Sequence, residues 1–171
     1  METAQRRTEI LHLLYDSAEP ITGTELAHQF NVSRQVIVQD IALLRAAGEQ
    51  VLATPQGYLL PRSETRALVQ AVIACSHTRT QMGDELGIVV DLGGKVRDVV
   101  VEHPIYGEMR ANLMIASRRD LSLFLRQVEE TQAQPLSALT DGLHLHTVEA
   151  PSTTIMQEIR DALDNAGFLV C

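Results

Sequence analysis

The stretch "ITGTELAHQFNVSRQVIVQDIALLRAAG", Ile21 to Gly48, decides how the first third of the chain folds. Thr22 followed three residues later by Glu25 is a capping-box pair, so a short helix should open there and run through Phe30. Leu26, Ala27 and Phe30 give that helix an apolar stripe. Asn31-Val32 makes the turn, and Ser33 is a good N-cap for a second helix running to Ala47 and ended by Gly48. Ile37, Ile41 and Leu44 recur at the spacing of one buried helical face. Two short capped helices joined by a tight turn form a helix-turn-helix, whose second helix enters the DNA major groove. Ser33, Arg34, Gln35, Val38 and Gln39 lie near its N-terminus and away from the apolar face, and arginine and glutamine suit bidentate contacts with base edges.

Outward from this core, Ile10, Leu11 and Leu14 mark an earlier helix over residues 3–17, broken by Glu19-Pro20. Downstream, "QVLATPQGYLL" has two strand-like ends around Thr54-Pro55-Gln56-Gly57, the shape of a wing. The expectation is a winged helix-turn-helix over residues 1–61, with operator DNA as its partner. A small helical module that binds protein is the competing reading. Leu60-Pro61-Arg62-Ser63 reads as the boundary.

The 171 residues allow one medium domain or two small ones, and 45% apolar content gives a real core. No apolar run reaches the ~18 residues of a membrane span, and "METAQRRTEI" lacks a signal core. Cys75 and Cys171 are too few for a disulfide framework, so a cytoplasmic protein with free thiols is expected. The net charge of −8 is unevenly spread. Residues 1–62 hold five arginines against seven acidic groups, and residues 63–171 hold nine basic against fifteen acidic groups. Phosphate neutralisation needs clustered Lys and Arg, so local arrangement must carry any DNA contact.

From Thr65 the pattern changes. "RALVQAVIACSH" reads as a buried strand, with a helix capped by Ser63 as the alternative. "TQMGDELGIVVDLGG" is helical through Met82, Leu86, Val89 and Val90 and ends at Gly93-Gly94, with Glu85 on its second turn. "KVRDVVVEH" and "MRANLMIAS" are strands joined by the turn "PIYGE". Ser117 and Asp120 cap a helix with Leu121, Phe124, Leu125 and Val128 on its core face. A strand around His144, a last helix through Ile155, Ile159, Ala162 and Leu163, and a closing strand "FLVC" complete the order β-α-β-β-α-β-α-β. The fold class is therefore α+β: a winged helix-turn-helix followed, over residues 65–171, by an α/β sandwich of an antiparallel or mixed sheet backed by helices.

In "DGLHLHTVEA", Asp141 to Ala150, His144 and His146 project from one face of a strand, with Leu143, Leu145 and Thr147 on the other. Half-exposed strand histidines and a metal site are comparable readings of an isolated H-x-H. His77 stands where the first strand of this part hands over to its helix, eight residues before Glu85. Three imidazoles and a carboxylate suit a borderline transition ion such as zinc, nickel or iron. Against this, Asp84 and Glu85 near a helix N-terminus are favoured by the macrodipole alone. His103, before a proline in a turn, reads as structural, and His12 and His28 carry no assigned chemistry.

The whole sequence resembles the niacin-responsive transcriptional repressors, a winged helix followed by a three-histidine (3H) domain, from about Arg6 to Phe168. The blocks "VSRQVIVQDIALLRAAG", "VVDLGGKVRDVVVEHPIYGE" and "PLSALTDGLHLHT" and the His77-to-Glu85 spacing carry the resemblance. It implies one divalent transition metal ion per chain (nickel, zinc or iron) held by His77, Glu85, His144 and His146 in a metal- and effector-binding regulatory domain. It further implies a homodimeric repressor of genes for NAD precursor uptake or synthesis, with nicotinic acid as co-repressor and no catalytic residues. A divalent ion would make an acidic domain hospitable to an anionic effector. Arg79, Arg97, Arg118 and Arg119 are equal candidates to assist, and no effector-binding residue is singled out. The rival readings are a metal-sensing regulator and a metal-dependent hydrolase. The hydrolase is disfavoured because no general base stands beside the ligands and an enzyme has no use for a winged helix.

Overall fold

The computed structural model describes residues 3–61 and 68–170. The chain divides into two compact units, Met1–Ser63 and Glu64–Cys171. No helix among the described residues is long and apolar enough to cross a membrane.

The first unit holds α1 (Thr3–Asp16), α2 (Gly23–Gln29) and α3 (Arg34–Ala46), then the two-stranded wing β1 (Leu52–Thr54) and β2 (Gly57–Leu59). The capping box forms: Thr22 Oγ1 accepts from Glu25 N at 3.1 Å, and the Glu25 carboxylate accepts from Thr22 N at 2.8 Å. Ser33 Oγ accepts from Val36 N and starts α3. Between the two helices Asn31 takes a positive φ of 51°, a conformation asparagine tolerates better than most residues. Ile10 and Leu14 of α1, Leu26 of α2, and Ile37, Ile41 and Leu44 of α3 are buried together. Fully burying each such side chain contributes about 1.5–3 kcal/mol. The wing folds back on the start of α2 through a bridge between Tyr58 and Ile21. Gly57 permits this approach, because a Cβ there would lie 2.5 Å from the Ile21 carbonyl oxygen.

The second unit is built on one antiparallel sheet of order β3-β6-β4-β5, from β3 (Val69–Ser76), β4 (Lys95–His103), β5 (Gly107–Ile115) and β6 (Leu143–Ala150). The antiparallel alternative is the one adopted. Three helices, α4 (Met82–Asp91), α5 (Arg118–Thr131) and α6 (Thr153–Asn165), pack their apolar stripes on one face of it. Ile73, Val96, Ile115, Val148 and Leu163 are among the residues buried in that layer. The other face leaves Val72 and Leu143 exposed.

Two expectations need correction. Of the "FLVC" segment, the described residues 168–170 make an isolated bridge, Leu169 to Cys75, in place of a strand, directly after the Gly167 turn at a φ of 76°. Glu85 falls in the first turn of α4, since a 3-10 turn over Arg79–Gln81 delays the helix to Met82. Thr147 is buried although its neighbours Leu143 and Leu145 on the same face are not. The boundary at Arg62-Ser63 and the first residues of the "RALVQAVIACSH" strand lie outside the described residues, as does Cys171.

Candidate metal centre and nucleic-acid interface

Four side chains from three places converge under the helix layer. His144 and His146 leave the same face of β6, opposite Cys75 and Ile73 of β3. His77 follows the last residue of β3, and Glu85 enters from α4. The Glu85 carboxylate is only 1% exposed. Its Oε2 lies 2.6 Å from His77 Nε2 and 3.4 Å from His146 Nε2, and its Oε1 lies 3.4 Å from His144 Nε2. The rings stack edge to face, His77 on His144 at 4.8 Å and His144 on His146 at 4.7 Å between centroids. Phe168, itself buried, meets His77 edge to face at 5.7 Å between centroids.

The far nitrogens explain which way each ring is protonated. His77 Nδ1 lies 2.8 Å from the Thr78 carbonyl, His144 Nδ1 2.7 Å from that of Gly142, and His146 Nδ1 2.6 Å from that of Asp98. A carbonyl only accepts, so every Nδ1 carries a proton, and in the neutral ring every Nε2 presents a lone pair. Three lone pairs thus face one carboxylate in a site sealed from water. Such an arrangement requires a cation at its centre, either protons or a metal ion. Burial pushes the Glu85 carboxyl up, but the three imidazoles facing it outweigh this and hold it well below the usual range. Burial likewise pulls His77 down, while its hydrogen bonds to Glu85 and Thr78 and the Glu85 charge raise it above the ordinary imidazole value.

His77, Glu85 and His144 offer ligand atoms all within 4.8 Å of one another, a grouping able to hold a metal ion. His146 stands beside that trio through Glu85 Oε2. Glu85 Oε1 is buried without a hydrogen-bond partner among the described residues, which is a free ligand position. Nitrogen and carboxylate donors with backbone-oriented imidazoles fit a divalent first-row transition ion.

Several participants gave no signal in the sequence. Gly142 accepts from His144 and also abuts His77, for a Cβ on it would lie 2.5 Å from the His77 carbonyl oxygen. Cys75 is buried beside the site, and burial first, then the charge of Glu85, pushes its thiol far up, so it stays neutral. His103 caps its own turn, with Nδ1 accepting from Ile105 N and Tyr106 N, and stacks on Tyr106. Of the candidate arginines, Arg79 donates to the Val128 carbonyl, Arg97 pairs with Glu149 and Arg118 with Asp91, while Arg119 is exposed.

In the first unit, Ser33, Arg34, Gln35, Val38 and Gln39 are all exposed along the N-terminal half of α3. The opposite side of α3 is fixed by an ion pair, Asp40 Oδ2 to Arg6 Nε of α1 at 2.6 Å, with both side chains buried.

A winged helix-turn-helix carried in one chain with a 3H domain defines the class: a transcription regulator that binds DNA. The 3H domain family matches residues 70–171, and an HTH domain family matches residues 6–59. Over 98% of its length the chain is 43% identical to the transcription repressor NadR of Bacillus subtilis, covering 94% of that protein. Over 97% of its length it is 41% identical to the probable transcription repressor NiaR of Thermotoga maritima, again covering 94%. The chain belongs to the 3H-domain family of NadR and NiaR transcription repressors. Both relatives are named as repressors and neither as an enzyme.

Proposed function

We propose that the protein represses transcription as a homodimer, reading operator DNA through Ser33, Arg34, Gln35, Val38 and Gln39. In this reading His77, Glu85, His144 and His146 hold one divalent nickel, zinc or iron ion, and nicotinic acid is the co-repressor for genes of NAD precursor uptake or synthesis. The observation that carries the regulatory half is the tautomer set: three backbone-held Nδ1–H groups aim three Nε2 lone pairs at one buried carboxylate. The bound ion would supply concentrated positive charge for a carboxylate effector in a unit that is otherwise acidic. The protein's own part is to hold the four donors rigidly, exclude water with Phe168, and keep Cys75 protonated.

A two-fold dimer presents two recognition helices to half-sites about one helical turn (~34 Å) apart. An effector shifts DNA affinity only through its difference in affinity for two states of the protein, commonly 1–3 kcal/mol or about 5–150-fold. Isothermal titration of nicotinate into nickel-loaded and chelator-treated protein tests this directly. Binding should be strong in the first and weak in the second, and equal affinities would sink the effector's dependence on the ion. Gel shifts then separate the readings: operator affinity should rise with nicotinate at fixed nickel, whereas a metal sensor would respond to nickel alone. Arg34→Ala should weaken operator binding and leave nicotinate titration unchanged.

A further inference from the structure

We infer that Asp98 is a positioning residue for His146, acting through a β-bulge in β4; this rests on the metal reading of the four-residue cluster. Val96 faces Val148 across the sheet and Asp98 faces Thr147, so Arg97 is an extra residue with no position opposite it in the β6 register. On the other side, Ile115 and Asn112 of β5 face Val96 and Asp98, which leaves Leu113 and Met114 opposite Arg97. Met114 takes a φ of 55°, rare for a non-glycine residue, and marks the matching irregularity in β5. One inserted residue exchanges the two faces of every residue beyond it. In a regular strand Asp98, two residues after Val96, would share its face and point its carboxylate into the helix layer; with Arg97 bulged out, Val99 lies beside His146 and Asp98 beside Thr147.

Asp98 then serves two groups at once. Its carboxylate Oδ1 accepts the backbone N–H of Thr147 at 3.0 Å, and its main-chain oxygen accepts from His146 Nδ1 at 2.6 Å. Oδ2 pairs with Arg110, which also donates to Glu108 at 2.9 Å and reaches Thr147 Oγ1 at 3.4 Å. The side chain satisfies the neighbouring strand's N–H, so the carbonyl remains available to the imidazole. Thr147, which meets Arg110 through its hydroxyl and Asp98 through its N–H, is buried on a face where Leu143 and Leu145 are exposed. Removing the carboxylate leaves Thr147 N–H without its acceptor in a buried place, and that N–H would compete with His146 for the Asp98 carbonyl. Outer partners of this kind commonly change metal affinity 10–100-fold.

Cobalt(II) is the probe, because its visible absorption reports ligand number and geometry. The full chain with Asp98→Ala should bind cobalt about 10–100-fold more weakly than the parent and show an altered band, while Asp98→Asn, which keeps the Oδ1 acceptor, should stay close to the parent. Asp98→Ala protein that is folded by circular dichroism and matches the parent in affinity and spectrum would overturn the proposal. Should that variant not fold, Asp98→Ser, whose hydroxyl falls short of Thr147, takes its place with the same expected losses. Nitrogen-15 NMR of metal-free protein supplies the independent readout. The parent should hold the His146 proton on Nδ1, and Asp98→Ala should spread it over both nitrogens. An unchanged tautomer overturns the positioning role. A parent that takes up no cobalt, with the tautomer shift still seen on going to Asp98→Ala, would remove the metal reading and keep the positioning.

Discussion

Gly142 shows how much of the cluster depends on a residue with no chemistry of its own. It sits at a φ of 95°, its carbonyl takes the His144 Nδ1 proton, and its α-carbon leaves just enough room for the His77 backbone. Alanine at this position would meet the His77 carbonyl oxygen at 2.5 Å and would also be forced into the left-handed region, which alone costs roughly 1–2 kcal/mol. The clash is with backbone, so His77 has to move relative to His144. Gly142→Ala should therefore lower both thermal stability and metal affinity. Nickel added at about 100 times its dissociation constant should stabilise the parent by about 2.7 kcal/mol and the variant by clearly less at the same concentration. Differential scanning calorimetry with and without nickel checks this, and an equal gain in the two proteins would contradict it.

Among elements, α3 illustrates where sequence is transparent and where it is not. Its start at Ser33 and its buried Ile37, Ile41 and Leu44 follow from a local cap and a local period, and both are present. Asp40 lies on the same buried side, where periodicity calls for an apolar residue, and its partner Arg6 is 34 positions away. Nothing within a helical turn of either residue announces the pair. The bulge at Arg97 was hidden for a related reason: "KVRDVVVEH" is apolar enough to fit a sheet in either register, so only the strands on both sides reveal the extra residue. His144 and His146 share a face because i and i+2 always do in a strand. Residue chemistry nominated His77 and Glu85 as their partners, and the family resemblance joined the four into one set, since no spacing rule links residues some sixty positions apart. Gly142 and the Asp98 carbonyl act through backbone atoms, which sequence does not display. The Arg6–Asp40 pair has a measurable consequence. Removing one member leaves the other charged and buried, which typically costs about 3–5 kcal/mol. Asp40→Ala should lower the unfolding free energy in urea by that amount, seen as a lower midpoint at unchanged slope, and replacing both residues with apolar ones of similar size should restore most of it. If Asp40→Ala cost under about 1 kcal/mol, α3 would be held by its apolar face alone.

At the scale of the whole molecule, charge constrains how a repressor of this kind can hold DNA. The chain carries −8 overall, and its first 62 residues contain five arginines and no lysine. Arg6 is committed to buried Asp40, which Arg7 also approaches at 3.9 Å, and Arg45 donates to the Val51 carbonyl at 2.7 Å. Counting Arg7, Arg34, Arg45 and Arg62 as available gives at most four phosphate partners from this unit of each copy, eight in the proposed dimer. Each neutralised phosphate contributes about −0.9 to the slope of log affinity against log salt, so the limit is near −7. Arg7 and Arg45 already have protein partners, so the observed slope should be shallower still. Binding to unrelated DNA, which lives almost entirely on this term, should then be feeble at physiological salt. Specific binding has to rest on the base-facing side chains of α3 and on the fit of two half-sites. Filter binding of an operator fragment between 50 and 200 mM salt would read the slope. A value near −9, the mark of ten contacts, would mean that cations of the acidic second unit also reach the DNA, and the division of labour argued for the two units would have to be redrawn.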